Sequence, residues 1–154
     1  MIKIVTRGLS SIELERVHAG FDENAIDQHV EVQSSDRFGT VALDGDHFVG
    51  AASGLAYKNN TTYNGWFYLT DLFVEKPYRR RGIGAELLTA LEHALRAHGV
   101  RNVWTWTAEY EAPTFYKKLG YAVFAVLENY YSNGETRIGM RKVITMEGNQ
   151  DADS

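Results

Sequence analysis

The first part of the chain combines an alternating pattern with a helical one. Apolar and polar residues alternate near the amino terminus, which predicts a strand from Ile2 to Thr6. A helix is predicted from Ser11 to Ala19, because Ser10 and Glu13 have the spacing of a capping box. Gly20 follows at a position that favours a helix end. We therefore expect a strand and then a short helix.

The next segment predicts one further helix and a hairpin. A second helical piece is predicted from Asn24 to Val32. Strand-like stretches run from Phe38 to Leu43 and from Phe48 to Tyr57. They are joined through Asp44-Gly45-Asp46, in which the Asp-Gly pair favours a tight turn. These two strands are expected to be antiparallel.

The middle of the chain has the pattern of strand, helix and strand. A strongly apolar strand is predicted from Trp66 to Val74, closed by Pro77. Apolar residues then recur at helical spacing from Ile83 onward, and Gly99 marks the helix end. Another strand is predicted from Val103 to Thr107. This order predicts two parallel strands joined by a crossover helix.

The last part returns to antiparallel strands. A proline and a glycine bracket a short predicted helix from Thr114 to Leu119. Strands are predicted from Ala122 to Leu127 and from Arg137 to Val143, on either side of the hairpin signal Asn133-Gly134. The predicted fold class is therefore α/β, with a mixed sheet flanked by helices.

Composition favours one globular domain of ordinary size. The chain has 154 residues, of which 44% are hydrophobic and 23% are charged, as is typical of a domain with its own core. We expect a single domain over residues 1–146 and a polar, flexible tail over residues 147–154. Cysteine is absent, which excludes disulfides, thiolate metal sites and cysteine nucleophiles.

Neither export nor membrane insertion is expected. The amino terminus lacks the longer apolar stretch of a secretion signal. The longest apolar run, Tyr121 to Leu127, is far shorter than the roughly 20 residues that cross a bilayer as a helix. The cytoplasm is the expected location. The net charge of -4 disfavours a broad nucleic-acid-binding face, so neither nucleic acid nor membrane is a predicted partner.

One short basic segment carries most of the chemical information. Arg79-Arg80-Arg81-Gly82-Ile83-Gly84 follows a predicted buried strand and opens the long predicted helix. Free N–H groups at a helix start bind anions, glycines let phosphate oxygens approach the backbone, and arginines add charged donors. The segment is neither a P-loop nor a dinucleotide fingerprint, because each of those needs further residues that are missing. The alternative is a solvated basic turn.

Two motifs in this order resemble the GNAT acetyltransferases. Leu69 to Val74, then Pro77-Tyr78, then Arg79-x-x-Gly82-x-Gly84 is similar to the acetyl-CoA signature of that family. About thirty residues later, Ala112 to Tyr121 resembles the family's second motif. The resemblance is clear from Phe48 to Val143 and weak before that. It implies a strongly twisted mixed sheet in which the two central parallel strands splay apart.

The resemblance also implies the cofactor and its site. Acetyl-CoA would be the co-substrate. No metal site is expected, because the five histidines show no metal-ligand spacing supported by nearby carboxylates. The backbone of Leu72, Phe73 and Val74 would pair with the pantetheine arm in the splay. The pyrophosphate would be bound by the seven residues Arg79, Arg80, Arg81, Gly82, Ile83, Gly84 and Ala85.

Three residues are candidates for proton transfer. Tyr116 matches the family position of a tyrosine that protonates the departing thiolate, and a phenol with a pKa of about 10 suits that role; the alternative is a packed core tyrosine. Asp71 or Glu109 could remove the amine proton. Asp71 interrupts a strand with predicted burial on both faces, so it needs a partner or water, and a structural carboxylate bonded to neighbouring backbone or to Thr70 is the alternative. Glu109 stands where many members of that family carry an asparagine that bonds to pantetheine. Glu109 would accept a bond from pantetheine or face the acceptor amine, and an exposed loop acid is the alternative.

The sequence indicates the acceptor amine less specifically than it indicates the cofactor. A small cationic amine, such as a polyamine or an aminoglycoside, is predicted because the segment 21–36 carries acidic residues without one Lys or Arg: Asp22, Glu23, Asp27, Glu31 and Asp36. A solvated acidic helix face is the alternative for that cluster. A peptide or protein amine and a catalytically silent acetyl-CoA sensor are the rival functions.

The role of four aromatic residues and the oligomeric state are not decided by the sequence. Trp104, Trp106, Tyr130 and Tyr131 could line an acceptor pocket or simply pack the sheet. The terminal strands of a mixed sheet can pair with a second copy, so a homodimer is the assembly we favour, although no sequence feature fixes it.

Overall fold

The computed structural model describes residues 1–110 and 113–144. The chain divides into two compact units, Met1–Gln33 and a larger one that begins at Ser34, and each is described by itself. The predicted tail at residues 147–154 lies outside the described residues. The single domain predicted for residues 1–146 stays a prediction.

The first unit contains one helix, α1 (Ser11–Asp27). The predicted capping box is confirmed, because Ser10 Oγ accepts from the Glu13 N–H at 3.2 Å and Glu13 Oε2 accepts from the Ser10 N–H at 2.7 Å. Arg7 adds a bidentate ion pair to Glu13, with its shorter contact at 2.7 Å. The predicted helix start is therefore fixed by local chemistry.

Three predictions for this unit are wrong. Ile2 to Thr6 belong to no strand. An alternating pattern shows which residues would share a face of a strand, but a strand also needs a neighbouring strand for its backbone hydrogen bonds. Gly20 does not end α1, because one glycine inside a helix costs only about 1 kcal/mol. The separate helix from Asn24 to Val32 is absent, because α1 itself continues to Asp27 and its cap lies at Gln28.

The second unit is built on a six-stranded sheet. Its strands are β1 (Gln33–Asp44), β2 (His47–Asn59), β3 (Thr62–Val74), β4 (Asn102–Ala108), β5 (Ala122–Leu127) and β6 (Arg137–Val143). Their order across the sheet is β1-β2-β3-β4-β6-β5. The β3–β4 pair is parallel, whereas β2–β3, β4–β6 and β5–β6 are antiparallel. The predicted mixed sheet with a parallel pair is confirmed.

Three helical segments accompany these strands. They are a 3₁₀ helix (Lys76–Tyr78), α2 (Ile83–Ala97) and α3 (Pro113–Lys118). α2 is the crossover between β3 and β4, as predicted. None of the described helices is long and apolar enough to span a membrane.

The core lies between α2 and one face of the sheet. Buried leucines recur on α2 at helical spacing and pack against buried residues of β3, β4 and β6: Leu87, Leu88, Leu91 and Leu95 on the helix, and Phe67, Leu69, Val103 and Met140 on the strands. Full burial of one such side chain stabilises the fold by about 1.5–3 kcal/mol. This packing holds the start of α2 beside the end of β3.

Candidate active site

The parallel strands β3 and β4 part after a short ladder. Their pairing covers three positions, and the last of them is Tyr68 opposite Trp104. Where the ladder stops, Thr105 Oγ1 donates to the Leu69 carbonyl at 2.9 Å, so a side chain takes over from the backbone. β3 continues to Val74 with its β2 side paired and its β4 side open. The result is a cleft along the side of β3 that β4 no longer pairs.

A β-bulge at Thr70 sets the direction of every residue after it. Ser53 lies opposite Asp71 and Gly54 lies opposite Leu69, which leaves Thr70 as the extra residue. An extra residue shifts the two-residue alternation of a strand by one position. Leu72 therefore points to the α2 side, where it packs on the core, although the pattern before the bulge puts odd-numbered residues there.

The shifted alternation decides which backbone groups face the cleft. The Glu75 N–H donates to the Val49 carbonyl at 2.8 Å, on the β2 side. Because backbone groups alternate along a strand, Phe73 also bonds toward β2, whereas Leu72 and Val74 turn toward the open side. Arg79 Nε donates to the Val74 carbonyl at 2.9 Å, in agreement with that direction. Of the three predicted residues, Leu72 and Val74 offer backbone to the cleft.

Asp71 is exposed, so the prediction that it is buried is wrong. Its side chain keeps 67% of its accessible surface. The bulge is the reason, since it turns Asp71 to the face opposite α2. The predicted bond to Thr70 is confirmed, with Thr70 Oγ1 donating to Asp71 Oδ2 at 2.7 Å. Arg37 Nη1 lies 3.7 Å from the same oxygen and 3.1 Å from Thr70 Oγ1, a contact that no sequence pattern predicts.

The segment Arg79 to Gly84 forms a helix start suited to an anion. Gly82 is the N-cap of α2, with φ at +79° and no side-chain cap, and Arg80 also has a positive φ of 62°. The N–H groups of the first helical turn have no partner within the helix. A Cβ at Gly82 would meet nothing within 4 Å, so the space above these groups is open. A left-handed residue beside a helix start makes a concave anion site.

The loop before α2 is anchored to the β1–β2 hairpin. The Tyr78 hydroxyl donates to Asp44 Oδ2 at 2.7 Å, and this bond raises the pKa of the Tyr78 phenol. The Arg81 guanidinium lies 5.3 Å from the centre of the Tyr78 ring. Arg79, through the Val74 carbonyl, and Arg81, through the Tyr78 ring, are thus held beside the open start of α2.

α3 brings Tyr116 to the same region. A Cβ at Gly84 would lie 3.6 Å from the Phe115 ring and 3.8 Å from Val74 Cγ2, so α3, the start of α2 and the end of β3 meet there. Tyr116 is buried, with 7% of its surface exposed. Its ring packs edge-on against the rings of Phe115 at 5.3 Å and Tyr121 at 5.5 Å.

Glu109 lies at the carboxyl end of β4. Its N–H donates to the Thr136 carbonyl at 3.0 Å, and its side chain is exposed. The carboxyl ends of parallel strands share one edge of a sheet, so Glu109 and the exposed end of β3 lie at the same edge. Within residues 1–110 and 113–144, no three potential metal-ligand side chains come together.

The aromatic residues form a layer on the sheet face opposite α2. Trp104 stacks on Tyr68 with ring centres 4.1 Å apart, and Trp106 packs on Phe124 at 5.7 Å. The Arg137 guanidinium lies 5.0 Å from the Trp106 ring. A groove of about 330 Å³ runs over this layer between Trp66, Trp104, Phe124 and Arg141. Trp104 therefore packs the sheet and also lines the groove, whereas Trp106 packs against Trp104, Phe124 and Arg137.

Tyr130 and Tyr131 lie before β6, near the end of β4. Arg137 Nη1 donates to the Tyr130 hydroxyl at 2.7 Å. The Tyr131 ring contacts the Tyr110 ring at 6.1 Å. These tyrosines form a rim beside Glu109, because the Glu109 N–H bonds to the segment that enters β6.

Comparison with known proteins agrees with this geometry. The family model of the acetyltransferase (GNAT) domain matches residues 9–144. The chain belongs to the GNAT acetyltransferases. N-alpha-acetyltransferase 30 of Schizosaccharomyces pombe is 33% identical over 100 residues, which are 63% of this chain and 65% of that protein. The chain thus spans about two thirds of the length of this curated relative.

Solved structures give the same fold for this GNAT enzyme. An acetyltransferase from Bacillus cereus matches with a TM-score of 0.76 and 23% identity, over 92% of this chain and 97% of its own. An aminoglycoside 6'-N-acetyltransferase complexed with coenzyme A matches with a TM-score of 0.59 and 25% identity, over 71% and 73%. The relatives of this GNAT enzyme therefore include acetyltransferases of different acceptors.

The residues of this GNAT enzyme fit acetyl-CoA, the donor that the family uses. A pyrophosphate needs cationic and N–H donors, which Arg79, Arg81 and the open start of α2 supply. An amide-bearing arm needs backbone partners, which the cleft side of Leu72 and the Val74 N–H supply, while the Val74 carbonyl already accepts from Arg79.

Proposed function

We propose that this chain transfers the acetyl group of acetyl-CoA to a primary amine by direct attack in a ternary complex. The observation that carries the proposal is the cleft where the β3–β4 ladder stops, beside the uncapped start of α2. Arg79 to Ala85 would bind the pyrophosphate, with Arg80 as a further cation. Leu72 and Val74 would bind the pantetheine arm, while Phe73 stays bonded toward β2.

The proton balance assigns a task to each candidate side chain. The amine nitrogen forms a bond to the thioester carbon, the carbon–sulfur bond breaks, and the amine proton must leave. Asp71 or Glu109 takes that proton through water, and Tyr116 gives one to the departing thiolate. The Leu72 N–H lies on the cleft side and can stabilise the charge that develops on the thioester oxygen.

We propose the α-amine of a peptide as the acceptor. The rim beside Glu109 consists of Tyr110, Tyr130 and Tyr131 with Arg137, so it offers neutral hydroxyls and one cation. Such a rim suits the neutral amides of a peptide better than a polycation, which Arg137 would repel. The likeness to an N-alpha-acetyltransferase supports the same acceptor.

A small cationic amine is the second candidate, on the observation of exposed acidic residues on α1. Asp22 and Asp27 are exposed there. Two members of the predicted cluster already have cationic partners, however: Glu23 bonds to Arg16 at 3.2 Å, and Asp36 bonds to Lys58 at 2.9 Å. These pairs reduce the negative charge available to a polyamine or an aminoglycoside.

Acetylation of matched acceptors tests the donor and the acceptor together. Short peptides with a free amino terminus, the same peptides blocked at that terminus, spermidine and an aminoglycoside are each incubated with acetyl-CoA. Free thiol and product mass are followed. We expect acetylation of free peptides, none of blocked ones, and little dependence of KM on salt. A preference for spermidine or the aminoglycoside, with KM rising as salt screens the charges, would favour the second candidate.

If no thiol is released with any of these acceptors, the proposed transfer to a primary amine is contradicted. Acetyl-CoA binding is then measured separately by calorimetry. Binding without transfer to any amine would support the sensor function instead.

A further inference from the structure

A buried carboxylate lies within the apolar face of α2. Glu92 is 3% exposed and sits between Leu88, Leu91 and Leu95 on the side of α2 that faces the sheet. An unpaired charge at such a place is strongly destabilising. Its Oε1 accepts from Lys142 Nζ at 2.6 Å and lies 3.7 Å from Arg96 Nη2. Its Oε2 accepts from the Tyr121 hydroxyl at 3.2 Å.

Tyr121 connects this carboxylate to the end of α3. The Tyr121 N–H donates to the Tyr116 carbonyl at 3.0 Å, and the Gly120 N–H donates to the Lys117 carbonyl at 3.1 Å. Together with φ of +92° at Gly120, these two bonds make a Schellman motif. In that motif the residue after the glycine packs on the third residue from the helix end, and here those residues are Tyr121 and Tyr116.

The contact between the two tyrosines has fixed geometry on both sides. Their ring centres are 5.5 Å apart with an angle of 67° between the planes. The backbone bond fixes one end of Tyr121, and Glu92 fixes its hydroxyl at the other. Tyr121 is 3% exposed, so its ring has little freedom to leave this position.

Tyr121 cannot itself replace Tyr116 as the acid. Burial, together with the charge of Glu92, raises the pKa of the Tyr121 phenol far above its usual range. Its proton is therefore held in the bond to Glu92 throughout the working pH range. Tyr121 therefore contributes through the packing of its ring on the Tyr116 ring, and not by donating a proton to the substrate.

We propose that Tyr121 and Glu92 are positioning residues that orient the Tyr116 ring for proton donation, with Lys142 balancing the buried charge. The inference rests on the proposed role of Tyr116. Loss of the Tyr121 hydroxyl removes the bond to Glu92 that fixes one end of the ring, so the ring can tilt against Tyr116 while the shape of the core is almost unchanged.

The first test is Tyr121→Phe, which removes only the hydroxyl. We expect kcat to fall about tenfold, because small displacements of a reacting group cost up to about a hundredfold in rate. KM for acetyl-CoA should stay within about twofold, because the start of α2 is untouched. The chemical step is measured in single-turnover experiments, at a temperature where thermal unfolding shows both proteins fully folded.

The matched control is Tyr63→Phe. The Tyr63 hydroxyl donates to Asp36 Oδ2 at 2.7 Å, and Lys58 Nζ binds the same carboxylate, so this variant loses the same kind of bond elsewhere in the sheet. We expect Tyr63→Phe to lower stability by a similar amount and to leave kcat unchanged. An equal loss of kcat in both variants would overturn the proposal.

Combination with Tyr116→Phe separates this proposal from the proposed function. If Tyr121 acts through Tyr116, Tyr121→Phe should cost no further kcat, within about twofold, once Tyr116 is phenylalanine. A full tenfold loss in that background would assign Tyr121 a structural role. If Tyr116→Phe alone leaves the chemical step unchanged, the assigned acid is wrong and the positioning role falls with it.

Glu92 gives an independent check. Glu92→Gln keeps an oxygen for the Tyr121 hydroxyl, so kcat should remain within about threefold of the native value. Glu92→Leu combined with Lys142→Met removes that oxygen without leaving the half-buried Lys142 ammonium unpaired. The double variant should reproduce the loss seen with Tyr121→Phe, and native kcat in a folded double variant would contradict the proposal.

Discussion

A single residue, Thr70, decides how the end of β3 is used. If Thr70 were paired as an ordinary strand residue, the alternation of Phe67 and Leu69 toward α2 would continue at Asp71 and bury a carboxylate in the core. Because Thr70 is instead the extra residue of a bulge, Asp71 lies on the opposite face and Leu72 joins the core. The Thr70 hydroxyl then holds the carboxylate at 2.7 Å. One extra residue thus converts a costly position into an accessible acid.

The two candidate bases differ in how firmly they are held. Asp71 has Thr70 and Arg37 at one oxygen, whereas Glu109 has an exposed side chain. We expect Asp71→Asn to lower the rate of the chemical step about a hundredfold or more, within the range typical of a lost general base. Glu109→Gln should change it by less than about fivefold. The rate of the chemical step is measured for both variants in single-turnover experiments. If Glu109 is the base, Glu109→Gln should lower this rate more than Asp71→Asn does.

The sequence pattern places Asp71 in the correct strand but predicts burial on both faces, whereas the face that carries Asp71 is exposed. The bond to Thr70 was predictable because the residues are neighbours in an otherwise apolar segment. The bulge was not predictable, because it is defined by the register with the facing strand, where Gly54 lies opposite Leu69 and Ser53 opposite Asp71. The contact from Arg37 depends on the same tertiary pairing and leaves no local signal.

At the scale of elements, the start of α2 combines an open helix end with a left-handed residue. Sequence predicted this start well, because the glycines and arginines act through local backbone chemistry. The capping box of α1 was predictable for the same reason. The length of α1 was not, because the cost of Gly20 is small and other residues of the helix outweigh it.

Two glycines of α2 offer a matched pair for testing donor binding. Gly82 precedes the helix with φ of +79° and Gly99 follows it with φ of +81°, and a Cβ at either would meet nothing within 4 Å. Gly82→Glu and Gly99→Glu should therefore cost similar stability, roughly 1–2 kcal/mol each.

Only Gly82→Glu should abolish acetyl-CoA binding in calorimetry, because its carboxylate occupies the anion site and repels phosphate. Native affinity in folded Gly82→Glu would show that the phosphates bind elsewhere. Loss of binding in both variants would instead point to a general effect of folding.

The start of α1 should respond to acid. Arg7 foremost, and the Ser10 N–H, lower the pKa of Glu13 to about 2. A carboxyl with a lowered pKa stabilises the folded form above its unfolded pKa, near 4.5, and loses that effect as the pH falls toward 2. We expect the helical signal of wild type, relative to Glu13→Gln, to fall across this interval in far-UV circular dichroism. The exposed Glu15→Gln should retain the wild-type profile.

At the scale of the whole molecule, the two edges of the sheet differ in chemistry. β1 carries Asp36, Arg37 and Asp44, and charges on an edge strand discourage pairing with another chain. β5 is Ala-Val-Phe-Ala-Val-Leu, without a charge, and Val123, Phe124 and Val126 are each more than 40% exposed. An uncharged edge of this kind favours pairing with a second copy.

We expect the chain to form a dimer through β5. Light scattering after size-exclusion chromatography should give twice the 17.4 kDa mass of one chain for the wild type. The Val126→Lys variant should give the mass of one chain. Val41→Lys on the β1 edge, where the valine is also exposed, is the matched control and should remain dimeric. A wild-type monomer at micromolar concentration would contradict the prediction.

The bulge at Thr70 also limits how this pair of strands can change by mutation. A Cβ at Gly54 would lie 2.0 Å from the Tyr68 carbonyl oxygen, so no larger residue fits opposite the bulge. Deletion of Thr70 would remove the bulge, and Asp71 would then follow Leu69 directly and stay on the face opposite α2. The constraint at Gly54 would remain, because the Tyr68 carbonyl and the Phe67 ring that a Cβ would meet both precede the extra residue. Relatives should therefore keep glycine at position 54 with or without the extra residue, and a relative that lacks it should still present an acid at the position of Asp71.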